Sequence, residues 1–171
     1  TTVTIPNSVT IVGYMAFSGC SGVTEPIYNE NIFVYFPNGY ATEYTISDGI
    51  RQICDFAFSG CSSLTSVTIP NSVTSIGSCA FEGCSGLTSV TIPNSVTFIG
   101  GGAFMYCSGL TTVNFNATNC TSMERSVWEG CSSLTTLNIG EYVTNIPNYA
   151  FNYCYGLTSV TIGNSVTSIG N

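Results

Sequence analysis

Leu64–Gly86 reads LTSVTIPNSVTSIGSCAFEGCSG, and Leu87–Gly109 repeats it as LTSVTIPNSVTFIGGGAFMYCSG. A stretch that returns almost unchanged is a structural unit, and the remaining chain is an edited copy of it. Its leading leucines are Leu64, Leu87, Leu110, Leu134 and Leu157, spaced 23, 23, 24 and 23 residues apart. Self-similarity at this period marks a stacked array, because one such unit cannot bury its apolar face alone.

Within the unit, Val67 and Ile69 alternate with Ser66 and Thr68, the period-two pattern of a short strand rich in β-branched residues. Pro70-Asn71-Ser72 is a turn, and Val73–Ile76 is a second extended segment ended by Gly77. Cys79–Cys84 is expected to form one helical turn, with Phe81 and Cys84 on one face.

The frame extends in both directions. Coil one is Thr1–Gly22, with Val3, Ile5, Val9, Val12, Ala16, Phe17 and Cys20 in the core positions. Coil two has 18 extra residues, an insertion at about Val23–Tyr40, after which Tyr44, Ile46, Ile50 and Ile53 resume the register. Coils three and four are the near-identical pair. Coil five, Leu110–Ser133, has one extra residue near Asn116–Asn119. Coil six is Leu134–Gly156, and coil seven runs to Asn171, short of its Ala-Phe turn. Unpaired edges at both ends fit either a fragment of a longer array or head-to-tail stacking into a filament.

The composition narrows function by exclusion. Hydrophobic residues make up 44% of the 171 residues and charged ones only 6%. There is no Lys and no His, and the net charge is −7. Two isolated arginines, Arg51 and Arg125, do not make a phosphate-binding surface, so nucleic acid is excluded as a partner. An anionic membrane surface is disfavoured for the same reason, and no run approaches the length of a membrane span. Without His or Lys the common nucleophile activations are missing, and no catalytic residue is assigned.

The motif Leu87-x-x-Val90-x-Ile92-Pro93-x-x-Val96-x-x-Ile99-Gly100-x-x-Ala103-Phe104-x-x-Cys107 resembles the BspA-like leucine-rich repeats of bacterial and protist surface proteins. Asn94 comes two residues after Ile92 rather than at the generic repeat position, so the usual asparagine ladder is not assumed. The resemblance implies a β-rich, leucine-rich-repeat-type, right-handed solenoid of about seven coils in one domain, residues 1–171. It implies a secreted or cell-surface adhesion module with a protein or glycan ligand on another cell or matrix, no cofactor and no catalytic residues.

Several positions could carry chemistry. Cys20, Cys61, Cys84, Cys107, Cys131 and Cys154 share one repeat position and are expected to form an inward ladder of buried thiols. Disulfides between coils, or a metal site, are the alternatives; equal spacing selects no pairing, and no CxxC pair is present. Cys120 takes a core valine position, while Cys54 and Cys79 lie off the ladder and are the candidates for reactive thiols. Glu124 and Glu129 read as a solvated pair, with a glycosidase-like pair or a calcium site as alternatives.

The insertion is expected to form a hairpin, with Asn31–Phe36 as one strand, Pro37-Asn38-Gly39 as the turn and Tyr40–Ile46 as the return. Its aromatics either pack on the solenoid flank or form a contact site; Tyr28, Phe33, Tyr35, Phe36 and Tyr40 are the candidate binding residues. Trp128 replaces the core Phe104. Asn116 and Asn119 open two N-glycosylation sequons. The outward strand residues form two columns, Thr2, Ser66, Ser89, Thr112, Thr136 and Ser159 beside Thr4, Thr68, Thr91, Asn114, Asn138 and Thr161. Such columns supply solubility without charge, a glycan or protein face, or an ice-binding lattice.

Overall fold

Stacking a 23-residue unit forces each position to meet its own counterpart one coil away, and the structure is built on that rule. A computed structural model describes residues 2–13, 15–17 and 19–171. Thr1, which opens the expected first coil, lies outside them.

Each coil contributes a longer and a shorter strand. Coil two supplies β3 (Glu43–Thr45) and β4 (Gln52–Ile53); coil three supplies β5 (Ser66–Thr68) and β6 (Ser75–Ile76). Coils four to seven follow with β7 (Ser89–Ile92) and β8 (Phe98–Ile99), β9 (Thr112–Phe115) and β10 (Ser122–Met123), β11 (Thr136–Ile139) and β12 (Asn145–Ile146), and β13 (Ser159–Ile162) and β14 (Ser168–Ile169). The longer strands pair in parallel as β3-β5 and as β7-β9-β11-β13. The Thr88 N–H reaches the Thr65 carbonyl at 3.4 Å and bridges those two groups. The shorter strands pair as β4-β6-β8-β10 and, separately, as β12-β14. The result is a β-solenoid of six in-register turns.

The extra residue of coil five is absorbed locally. Phe115 pairs with Ile92, 23 residues back, whereas Ser122 pairs with Phe98, 24 back. The insertion therefore lies between them, where the spacing placed it.

The core is a set of one-residue-type columns. Phe58, Phe81, Phe104 and Trp128 stack face to face at 4.7–4.9 Å, and Phe151 follows at 6.3 Å. Ile53, Ile76 and Ile99 form another column, and Leu64, Leu87, Leu110 and Leu134 a third, all fully buried. Trp128 fills the phenylalanine position and donates its ring N–H to the Ala150 carbonyl at 2.9 Å, so its polar atom is satisfied in the core.

Three expectations are corrected. The Cys79–Cys84 segment is not helical: its bonds run three residues back, as from Ala80 N–H to the Gly77 carbonyl and from Cys84 N–H to that of Phe81. Two left-handed residues per coil, such as Cys79 (φ 53°) and Gly83 (φ 69°), chain these bonds into successive tight turns. Coil one contributes no strand among its described residues, so its Thr2 and Thr4 do not extend the outward columns.

The third correction concerns the insertion. Its hairpin is β1 (Ile27–Tyr28) with β2 (Ile32–Tyr35), antiparallel. Residues 43–45 do not return against it but join the parallel ladder as β3. β2 itself pairs in parallel with β4, placing Phe33 opposite Ile53. Alternation then decides the packing. Phe33 faces the solenoid core, while Ile32 and Val34 face a second cluster with Ile27 and Cys54, covered by Val3, Ile5, Val9, Val12 and Phe17 of coil one. Coil one thus packs on the outer face of β2 rather than in sheet register.

Candidate functional site

Two surfaces carry the candidate binding residues. The first is the outward face of the longer strands. In β7, β9, β11 and β13 the register aligns Ser89, Thr112, Thr136 and Ser159, and beside them Thr91, Asn114, Asn138 and Thr161. Strand neighbours lie about 4.7–4.9 Å apart, so hydroxyls and amides form a lattice at that pitch. It is internally bonded: Asn138 Nδ2 donates to Asn114 Oδ1 at 2.9 Å, and Asn114 Nδ2 to Thr91 Oγ1 at 3.2 Å. The threonines that open the strands serve the fold instead. Thr65 and Thr111 donate their hydroxyls to the carbonyls of Thr42 and Thr88, one coil back, at 2.9 and 3.0 Å.

The second surface is the aromatic end formed by the insertion. Phe33 and Phe36 both stack on Phe58, at 4.7 and 4.9 Å, and together fill the end of the aromatic column. Each is about 1% exposed and neither is reachable by a ligand. Tyr35 is half-buried and packs with the second cluster. Tyr28 stacks on Phe33 at 5.8 Å, and Tyr40 meets Phe36 edge-on at 5.5 Å. These two are 44% and 43% exposed. Beside them, the Glu25 carboxylate hydrogen-bonds to the Tyr40 phenol and holds its pKa above the ordinary value. Tyr44 is pushed up to about 12, first by burial and then by Tyr28 and Tyr40. Of the five aromatic candidates, the structure therefore presents two at the surface.

Six cysteines are buried, Cys20, Cys79 and Cys154 are half-buried, and all nine are free thiols. Cys84, Cys107 and Cys131 donate Sγ–H to the carbonyls of Phe58, Phe81 and Phe104, each at 3.1 Å. Cys61 does the same to Phe36 at 3.6 Å. At these four ladder positions the cysteine is thus tied to a phenylalanine carbonyl of the preceding coil or, for Cys61, of the insertion. Burial pushes the Cys61 thiol up to about 12. The two off-ladder thiols are also raised to about 11, Cys54 by burial and then Asp55, Cys79 by burial and then Glu82. A raised pKa leaves little thiolate at neutral pH, and the two off-ladder thiols are raised less than that of Cys61 on the ladder.

Glu124 is exposed and accepts the Gly101 N–H at 2.8 Å. Among the described residues no group of three or more His, Cys, Asp or Glu gathers as a metal site. Asn119 is exposed and Asn116 half-buried.

Sequence reasoning missed a set of tyrosines. Tyr106, Tyr153 and Tyr155 line an open cleft with Glu129, and Tyr142 stands 80% exposed at the far end of the strand face. Tyr106 and Tyr153 replace a glycine that Gly19, Gly60, Gly83 and Gly130 occupy in other coils, all at positive φ. That glycine-to-tyrosine exchange was visible in the alignment of coils.

A parallel solenoid with hydroxyl columns outside and Leu, Ile, Phe and Cys columns inside defines a leucine-rich-repeat protein. The chain belongs to the BspA type leucine rich repeat family, whose pattern matches residues 1–34 and 33–158 in six copies.

No curated protein matches the chain. Among solved structures, a leucine-rich repeat protein from Eubacterium ventriosum shares 25% identity at TM-score 0.63, over 98% of this chain and 56% of that one. A leucine rich cell surface protein from Faecalibacterium prausnitzii shares 34% at TM-score 0.58, over 81% of this chain and 40% of that one. The T. pallidum leucine rich repeat protein, at 20% identity and TM-score 0.60, covers 81% of this chain and 77% of that one, and shows the fold alone. The chain thus spans about half the length of the first two relatives. No helix is long and apolar enough to cross a membrane.

Proposed function

We propose that this repeat module acts as a non-enzymatic recognition unit at a cell surface or outside the cell, binding a protein or glycan. The contact surface joins the outward strand face to the exposed tyrosines Tyr28 and Tyr40. The observation that carries the reading is the strand face itself: a regular, hydrogen-bonded lattice of Thr, Ser and Asn held on a rigid core. A rigid polar lattice loses little entropy on binding, which is what a preorganised contact surface needs. Exposed tyrosines add area at low entropic cost.

The membership of a cell-surface leucine-rich protein among the structural relatives supports the location. The test is surface plasmon resonance against immobilised proteins and glycans. The expected result is saturable binding by the intact chain, weakened at least about tenfold in the Tyr28→Ala, Tyr40→Ala double variant. Because both rings are partly exposed, the double variant is expected to keep its cooperative melting. Undiminished binding by that variant would remove the tyrosines from the contact surface.

A further inference from the structure

The turns that follow the longer strands enclose a groove of about 590 Å³, inside the roughly 300–1,000 Å³ of small-ligand sites. Thr91, Asn94, Asn116, Thr118, Glu141 and Tyr142 line it. Its far wall departs from the repeat. Coils three and four carry Pro-Asn-Ser at 70–72 and 93–95, whereas coil six carries Gly140-Glu141-Tyr142. An aromatic ring thereby stands where the repeat places a serine. The ring is 80% exposed, so the core gains little from it. Gly140 leaves the space that the Asn116 carboxamide takes up, since a Cβ there would collide with Asn116 Oδ1.

The groove is held in shape by bonds that leave its amides free. Thr118 Oγ1 donates to the Asn94 carbonyl at 3.3 Å, and Thr91 Oγ1 accepts from Asn114 Nδ2 at 3.2 Å. Among the described residues, no hydrogen bond engages the carboxamides of Asn94 or Asn116. Each of those groups offers one acceptor and two N–H donors. The chain's two cations are elsewhere: Arg51 precedes β4, and Arg125 donates to the Tyr149 hydroxyl at 3.1 Å and lies over its ring at 4.4 Å.

The geometry points to a binding site for a neutral saccharide in this groove. The inference rests on the recognition reading above and names the ligand class for one part of the strand face. A pyranose offers an apolar C–H face, which suits the flat Tyr142 ring, and a rim of hydroxyls that both donate and accept. Amides, threonine hydroxyls and the Glu141 carboxylate answer that rim. With a net charge of −7 and no cation in the groove, acidic glycans and phosphates are repelled. A peptide would need an open sheet edge or apolar anchor pockets, and the groove offers one exposed ring instead.

The experiment is affinity electrophoresis of the unglycosylated chain through gels holding a neutral mannan, galactan, xylan or β-glucan. Retardation by at least one of the four is expected, weakened about tenfold or more by Tyr142→Ala and less by Asn94→Ala. Both variants should melt with the parent, since both side chains are exposed. Tyr155→Ala, which removes a ring 90% exposed and outside the groove, should keep its retardation in that gel. Retardation that survives Tyr142→Ala overturns the groove; if the Tyr28→Ala, Tyr40→Ala double variant then loses it, recognition stands and the saccharide sits at the aromatic end. No retardation by any of the four, or binding to immobilised protein alone, overturns the saccharide assignment. The recognition reading is then judged by the protein arm of the resonance experiment.

Discussion

Coils three and four and the insertion at 23–40 are built from similar residues, yet they obey different rules. In Leu64–Gly109 each side chain meets its counterpart one coil away: Phe81 lies between Phe58 and Phe104, and Ile76 pairs between Ile53 and Ile99. In β2 the neighbours differ from face to face. Phe33 belongs to the array's core, whereas Ile32 and Val34 belong to the cluster under coil one. The array is a lattice with one rule, and β2 is a seam between two packings. A seam can be reshaped without propagating, which is why the chain's irregularity is concentrated there.

The largest expected effect tests that contrast through packing. Phe81→Ala removes a fully buried ring from the middle of the aromatic column, at a cost of about 3–5 kcal/mol. Urea denaturation should show it as a lower midpoint for the whole array. Val34→Ala removes two methyl groups from the outer face of β2 and should cost about 1–2 kcal/mol. Hydrogen exchange should confine that loss to residues 2–20 and the hairpin, leaving the amides of coils four to six unchanged. If Val34→Ala loosened those coils as well, the seam would not be a separate packing unit.

The contrast also marks what was legible in the sequence. The strands, their register, the cysteine column and the extra residue of coil five follow from the repeat, because in a lattice an alignment of copies is an alignment of contacts. Trp128 is placed in the core by the same logic. The hairpin's partner strand is hidden because two alternations compete in residues 31–46. Asn31–Phe36 and Tyr40–Ile46 look like partners by proximity, but Tyr44 and Ile46 are also in frame with Val67 and Ile69. A parallel ladder already running through coils two and three captures the second segment. Among the candidate contact residues, Phe33 and Phe36 went inward because the first Phe of the column needs a partner on its open side. No local pattern distinguishes them from Tyr28 and Tyr40, which stayed partly outside.

A swap at one register position sharpens the comparison at an intermediate scale. Gly77, Gly100 and Cys54 share that position, since their N–H groups donate to Ile53, Ile76 and Phe33 respectively. A Cβ on Gly77 would sit 2.6 Å from Asp55 N, and one on Gly100 2.5 Å from Ser78 N, so the coils there approach too closely for any side chain. Cys54 has β2 in front of it instead, and its thiol is buried with Ile27, Ile32 and Val34. Gly77→Cys should therefore cost about 2–3 kcal/mol through forced separation of two backbones. Cys54→Gly should cost about 1–2 kcal/mol, as the loss of a small buried side chain plus glycine's extra freedom. Equal costs in chemical denaturation would mean that the two interfaces are alike.

The smallest expected effect concerns a regularity of the backbone that side chains conceal. The residue before each alanine or valine of the turn is left-handed: Met15, Phe56, Cys79, Gly102, Ser126 and Tyr149, with φ between 53° and 65°. Only one of the six is glycine, so composition gives no sign of it. Met15 shows that coil one keeps the same turn even outside the sheet register, and the lattice and the seam therefore share a backbone while differing in packing. An L-residue costs roughly 1–2 kcal/mol in this conformation, and glycine gives back about 0.5–1 kcal/mol through unfolded-state freedom. Ser126 is half-buried, and no protein hydrogen bond among the described residues uses its hydroxyl. Ser126→Gly is thus expected to stabilise the chain by about 0.5 kcal/mol, read as a raised urea midpoint at unchanged slope. A destabilisation of that size would show that the left-handed turn is set by side-chain packing, and that the repeat's regularity is no deeper than its columns.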